Sequence, residues 1–491
     1  MKRLGLALVG LVTACVHSPP RIDGVAPAPA SPSTQWRPSA SVVEAARRDT
    51  VKSVPGVIGA APAGQGTTTR QYSLAEVVDL ALRNSPATRL SYTQARAAAD
   101  VYGSSEGRFF PTVTAGVVTS RALQIAAPGR PAVEHNQYGP SLSLSYTVLD
   151  FGGRVGSIDV ARQTAIAADL THNATVQSAI LQVESAAFTY LSTRSQRDAQ
   201  KSAVDLADKA LDAANERHRV GLATIADVLQ AQTAKSQAEL QLETLEGGLL
   251  IARGSLAVGM GLPANSNIDI PEIPASDSTF FITQSVDTLI DLAVKTRPEL
   301  ATSRAQAAAA QSAIKVARSG YLPALAFTAT GANNGSNVPT FSGKTYSLNI
   351  GVQMPVFTGF SNQYDVAAAG EQYQSALART ETTKQQVIQQ VFSAYYSLRT
   401  ANDRVRTSRD LLASAVQSEV VARERYREGV GSIVDLLVAQ NALATARAQS
   451  VDARWQWRTA LSQLAHDVGV LNARGDTSFG MLTPAPDVRP K

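Results

Sequence analysis

One cysteine occurs in 491 residues, so no disulfide can form within the chain. The five histidines, His17, His135, His172, His218 and His466, are scattered, and no two stand at metal-ligand spacing. There is no phosphate-binding loop, dinucleotide fingerprint or nucleophile elbow, and isolated charges on long helices read as solvated faces. Neither an enzyme nor a bound metal or cofactor is therefore expected. Charged residues make up 17% of the chain with a net charge of +5, and the two signs are interspersed. A nucleic-acid binder needs a basic stripe or cluster instead, so no nucleic acid is expected as a partner. After residue 15 no run approaches twenty apolar residues, which excludes a transmembrane helix. Glycine and proline are missing from 157–220, 371–428 and 432–468, so nothing interrupts a helix there.

What is present begins with Lys2 and Arg3, a short apolar run over 4–12, and Thr13-Ala14 before Cys15. Residues 1–14 read as a signal peptide, to be left out of the fold. Val12-Thr13-Ala14-Cys15 resembles a bacterial lipobox, which implies a covalent lipid on Cys15 as the first residue of the mature chain. Several acyl chains, at about 0.8 kcal/mol per buried methylene, hold a protein at a membrane. In the lipoproteins this segment resembles, an Asp after the Cys favours inner-membrane retention. Val16 stands there, so the resemblance implies outer-membrane lipid. Residues 15–71 are rich in Pro, Ala, Ser and Gly and read as a lipid-anchored tether or extended wrap.

The rest of the chain states one pattern twice. Arg217-His218-Arg219-Val220-Gly221-Leu222-Ala223-Thr224-Ile225-Ala226-Asp227 returns 208 residues later as Arg425-Tyr426-Arg427-Glu428-Gly429-Val430-Gly431-Ser432-Ile433-Val434-Asp435. Asp79-Leu80-Ala81 and Pro86 return as Asp291-Leu292-Ala293 and Pro298. Two long copies indicate a duplicated half-structure rather than a solenoid. The first repeat is assigned to 72–258 and the second to 285–471, with a connector at 259–284 and a loose C-terminal tail at 472–491. Ser73 with Glu76 predicts a capping box at the first helical start, and the equivalent start lies near Ser285.

Within each repeat the period changes. Leu142, Leu144, Tyr146 and Val148 alternate with Ser141, Ser143, Ser145 and Thr147, and 346–354 alternates likewise, the half-buried strand signature. Strands are predicted at about 111–121, 139–149, 323–331 and 344–355. Each is about the length that crosses a bilayer when tilted. Aromatic residues gather at their ends, among them Phe110, Tyr138, Phe151, Tyr321, Phe357 and Phe360.

The unbroken stretches predict helices on the order of 100 Å at ~1.5 Å per residue. Val176, Ile180, Val183, Ala187 and Tyr190, and Val387, Val391, Ala394, Leu398, Ala401 and Val405, are spaced alternately by four and three, as coiled-coil seams require. The helices reverse at tips near 219–226 and 427–434, where Gly221, Gly429 and Gly431 suit a sharp bend. Four strands cannot close a barrel, and an open edge in lipid costs several kcal/mol per unpaired backbone group. The missing strands must come from further copies. Two would give eight and a filled interior, three would give twelve and a lumen.

These parts, in this order, resemble the TolC-like outer-membrane efflux family over about 72–470. The matching residues are the two tip segments, the junctions Leu149-Asp150-Phe151-Gly152-Gly153 and Pro355-Val356-Phe357-Thr358-Gly359, and the entries Phe110-Pro111 and Leu322-Pro323. The resemblance implies a mainly α protein with a transmembrane β-barrel. In it, long antiparallel helical hairpins plus β-hairpins assemble as a homotrimer whose twelve-strand barrel continues as an α-helical barrel. It implies an outer-membrane exit channel that docks tip to tip on a periplasmic adaptor of an inner-membrane pump of the RND or ABC type. The same resemblance covers the exit channel of a type I protein secretion system. A different class, a periplasmic structural coiled-coil lipoprotein, would explain the helices but not the strands.

The resemblance also assigns residues. Asp435 matches an aspartate facing the lumen at the periplasmic constriction, where threefold symmetry would make a carboxylate ring that repels anions. Asp227 and Tyr426 match partners that tie neighbouring helices in the closed gate. Gly221, Leu222 and Thr224, with Gly429, Val430 and Ser432, match the adaptor-docking tips. A family member with a basic residue where Gly431 stands, and a second acid where Val438 stands, marks this chain's departure from the ion-pair latch. Turn chemistry alone accounts for the glycines, and helix capping or a solvated first turn for either aspartate.

Overall fold

In the computed structural model, which describes residues 31, 33–35, 70–125, 132–272, 280–282, 284–471 and 482–484, the chain runs through the same series of elements twice. The signal peptide, Cys15 and most of the tether and tail lie outside the described residues. The first series is β1 (Arg70–Gln71), α1 (Leu74–Asn84), α2 (Pro86–Glu106), β2 (Thr112–Ile125), β3 (Ala132–Leu149), α3 (Gly153–Arg219) and α4 (Ile225–Gly259). After β4 (Ile268–Asp269) and β5 (Phe280–Ile282) follow α5 (Val286–Thr296), α6 (Pro298–Ser319), β6 (Ala324–Ser336), β7 (Gly343–Gln353), α7 (Ser361–Arg427) and α8 (Ile433–Val468), then β8 (Leu482–Pro484).

Local chemistry starts these helices. Ser73 and Glu76 form the predicted capping box, with Ser73 N donating to Glu76 Oε2 at 2.7 Å and Glu76 N to Ser73 Oγ at 3.3 Å. Ser285 caps α5 through Thr288 N at 3.3 Å. Pro86 and Pro298 sit in the first turns of α2 and α6, where the missing N–H would have had no partner. Helices α3 and α7 each run 67 residues without a break. No described helix is both long and apolar enough to cross a membrane.

The two seams become the core. Ile180, Val183, Ala187 and Leu191 of α3 pack on Val77, Val78 and Leu82 of α1, on Leu256 of α4 and on Met260 just after it. Val387, Val391, Ala394 and Leu398 of α7 pack on Leu289 and Ala293 of α5 and on Leu464 and Val468 of α8. Burying each Val, Leu or Ile contributes about 1.5–3 kcal/mol, so the two bundle bases are the strongest joints of the fold.

The sheet is antiparallel throughout, in the order β2-β3-β6-β7. Its register sorts the residues by face. One face carries Val113, Leu144 and Ala329, then Leu142 and Gly331, then Tyr146, Phe327 and Ile350. The other carries the row Thr112, Ser145, Thr328, Asn349 and the row Thr114, Ser143, Thr330, Ser347. The apolar face is bare within one chain: Val117 is 82% and Ile350 75% exposed. The outer edges, β2 and β7, have no partner among the described residues.

The strands outrun the predicted limits, β2 reaching Ile125 rather than 121 and β6 Ser336 rather than 331. Strand β3 starts at Ala132, not near 139, because Glu134, His135, Asn136 and Gln137 hide the period while their backbones still pair with 120–123. The segments read as tether, connector and tail also contain pairing that two- and three-residue strands cannot announce. Arg70–Gln71 pairs parallel with Ile268–Asp269, and Phe280–Ile282 antiparallel with Leu482–Pro484. Further toward the N-terminus the Thr34 carbonyl accepts from His172 Nε2 at 2.8 Å, and His172 Nδ1 lies 2.9 Å from Ser91 Oγ.

Candidate functional site at the helical tips

Both helical hairpins turn by the same device. Gly221 and Gly429 each have φ of 79°, the left-handed conformation that ends a helix. Leu222 N donates back to Arg217 O at 2.8 Å and Val430 N to Arg425 O at 3.0 Å. Gly431 does not have a positive φ. Its constraint is space: a Cβ there would stand 3.1 Å from Arg425 Cβ and 3.2 Å from the Arg425 backbone. A side chain at 431 would therefore require the Arg425 turn to give by a few tenths of an ångström.

The next helices start on matched capping boxes. Thr224 Oγ1 accepts from Asp227 N at 3.3 Å while Thr224 N donates to Asp227 Oδ2 at 2.8 Å. Asp435 N donates to Ser432 Oγ at 3.1 Å and Ser432 N to Asp435 Oδ2 at 3.4 Å. Each carboxylate thus satisfies a helix N-terminus that would otherwise hold unpaired donors. Leu222 and Val430, each 69% exposed, project from the two bends.

Asp435 is exposed and lines a groove of about 860 Å³ between α7 and α8, together with Val421, Arg425, Gly431 and Val438. Tyr426 is buried in a cluster that unites the hairpins, with Ala210, Leu211 and Ala214 of α3, Ala231 of α4, and Ile433 and Leu436 of α8. Burial pushes its phenol up, the Asp227 charge adds to this, and Arg217 opposes it.

Asp227 and Tyr426 are near enough to feel each other's charge, yet no hydrogen bond joins them. The Tyr426 Oη is buried without a partner among the described residues, and the Asp227 carboxylate is held by Thr224. Instead Arg217 donates from Nη1 to the Tyr426 carbonyl at 2.5 Å and stacks 4.8 Å above its ring. Sequence reasoning quoted Arg217 only as a repeat marker. Its repeat mate Arg425 lines the open groove instead, and nothing in the two segments tells which arginine turns inward.

No group of three or more His, Cys, Asp or Glu able to hold a metal occurs among the described residues. A family model described as outer membrane efflux protein matches residues 77–262 and 289–470. Protein CyaE of Bordetella pertussis is 26% identical over 81% of this chain and 84% of its own length. The probable efflux pump outer membrane protein TtgC of Pseudomonas putida is 25% identical over 74% of this chain and 75% of its own. Among solved structures, the outer membrane protein VceC of Vibrio cholerae superposes with a TM-score of 0.72 at 17% identity, covering 81% of this chain and 96% of VceC. The fold is that of a TolC-like outer-membrane channel.

Proposed function

The chain belongs to the outer membrane efflux protein family, and from that premise we propose that it forms a passive homotrimeric exit duct docked on a periplasmic adaptor. As a member of a family of transport proteins it is an outer-membrane efflux channel of a Gram-negative cell. That membership sets aside the structural coiled-coil lipoprotein.

The observation that carries the trimer is the sheet, with four strands, two open edges, one apolar face and one hydroxyl-rich face. Three copies meeting β7 to β2 bring twelve strands, which leave no edge in lipid and enough girth for a lumen. The apolar rows then meet lipid and the Thr and Ser rows line the water. Helices α3, α4, α7 and α8 extend the duct across the periplasm to the tips. There Gly221, Leu222 and Thr224, with Gly429, Val430 and Ser432, receive the adaptor of an inner-membrane pump of the RND or ABC type. A lipid on Cys15 adds an anchor beside the barrel. The pump supplies the energy, and the duct itself needs no cofactor. Asp435 from three copies makes a ring that favours cations, and Asp227 and Tyr426 belong to the gate around it.

Two measurements on the purified protein test this. Cys15→Ser protein should still require detergent and still conduct in planar bilayers; release as a soluble monomer would end the channel reading. Asp435→Ala should lose the cation preference of the wild type. An unchanged preference would remove the carboxylate ring.

A further inference from the structure

Arg217 lies in the last turn of the long helix of the first repeat and Tyr426 in that of the second, 209 residues later. The Tyr426 carbonyl lies in the last turn of α7, where it accepts from Gly429 N at 3.1 Å, keeps its second lone pair for a further donor, and stands at the negative end of the helix. A cation is favoured there. Arg217 meets this carbonyl at 2.5 Å and the face of the same residue's ring at 4.8 Å. One planar guanidinium can donate within its plane and stack at once, which a lysine ammonium cannot do.

Apart from the apolar cluster around Tyr426, the other candidate ties between these hairpins are not made among the described residues at the tip. Asp227 is committed to Thr224, the Tyr426 hydroxyl has no partner among the described residues, and Gly431 carries no cation. We propose that Arg217 is the residue that holds the periplasmic tip closed, by clasping the carbonyl and ring of Tyr426, and that the tyrosine hydroxyl contributes nothing to the latch. Arg217 acts as a positioning residue: it touches no cargo, but any outward swing of α7 and α8 from α3 and α4 must part it from Tyr426. The inference rests on the reading of the tip as a gate.

The test is single-channel recording of the assembled, detergent-purified protein in planar bilayers, with trimers verified beforehand. Arg217→Ala should raise the open probability about tenfold or more, given the loss of both a charge-assisted hydrogen bond and a cation–π contact. Arg217→Lys should restore closure only in part. Tyr426→Phe should move the other way, closing the tip severalfold more tightly, because it removes a buried hydroxyl that has no partner. If Arg217→Ala does not assemble, Arg217→Gln, which keeps most of the stem, is recorded and should also open.

A low-conductance wild type with equally closed Arg217 variants overturns the clasp while leaving the gate intact. Opening by Tyr426→Phe also overturns it, since that points to a hydroxyl latch. A wild type already wide open, with every variant alike, overturns the gate reading itself and the clasp with it.

Discussion

Nη1 of Arg297 lies 3.2 Å from Oδ1 of Asp467, and both side chains are buried. Arg297 is the joint between α5 and α6 and also donates to Gln390 Oε1 of α7 at 2.7 Å. Asp467, near the end of α8, accepts further from His466 Nδ1 and from Gln463 Nε2, each at 2.9 Å. One ion pair thus ties four helices at the base of the second repeat. The first repeat has Ser85 at the equivalent joint and uses Asn84 Nδ2 to Met260 O, at 3.2 Å, so the duplication has diverged here.

Asp467→Ala removes one of two carboxylates beside the buried Arg297, whose Nε also lies 3.0 Å from Glu299 Oε2, and should cost about 1.5–3 kcal/mol, read from urea unfolding of the assembled protein. Burial works to raise Asp467, but hydrogen bonds from His466 and Gln463 and the charges of His466 and Arg297 hold it below the ordinary 3.8. Its stabilisation is therefore present above pH ~3.8 and lost as pH falls through the lower folded value. An acid-unfolding curve of Asp467→Asn should lack that component.

Asp169 gives the opposite pH dependence. It is fully buried one turn before His172, both its oxygens lack partners among the described residues, and burial raises it to about 9. Between the ordinary 3.8 and about 9 the folded state keeps a proton that the unfolded state releases. Stability should thus fall as pH rises through that window. Asp169→Asn should gain melting temperature over wild type steadily from pH 4 to 9. A constant offset would mean that Asp169 is ionised in the fold.

Thr224→Ala and Ser432→Ala each remove one capping partner, at about 1 kcal/mol of local stability. Amide exchange should quicken severalfold in the first turns of α4 and α8 and nowhere else. Uniform exchange along the helices would show that tertiary packing, not the cap, sets the tip.

The two sheet faces should respond differently to one substitution. Ile350→Lys puts a charge on the apolar face at about 2–4 kcal/mol per copy, and outer-membrane trimers should be lost. Ser347→Lys, on the hydroxyl face opposite Thr330, should assemble and shift ion selectivity toward anions. Equal assembly defects in both would mean that neither face meets water.

Much of this architecture was legible because its signals are periodic. The long helices follow from stretches free of Gly and Pro, the seams from alternating spacings, and the Ser73 start from its partner Glu76. The part of strand β3 after Tyr138 was legible from alternation, while the part before it was not, since Glu134 to Gln137 show no apolar period and are held by ladder pairing, the Arg121–Glu134 ion pair and the His135–Phe341 stack. At the tips the sequence located the bends but not the partners. The same Asp spacing serves capping and gating, and whether Arg217 or Arg425 turns inward depends on how two hairpins, far apart in sequence, pack.

Strands β2 and β7 are different edges of one sheet, and in the proposed trimer each copy passes its β7 to a neighbour's β2 around a circle. Such closure makes every member answerable for the whole. A subunit whose β7 is spoiled by a proline would admit one neighbour and refuse the other. Made beside normal subunits, it should therefore poison most of the rings in the cell, not merely its own share.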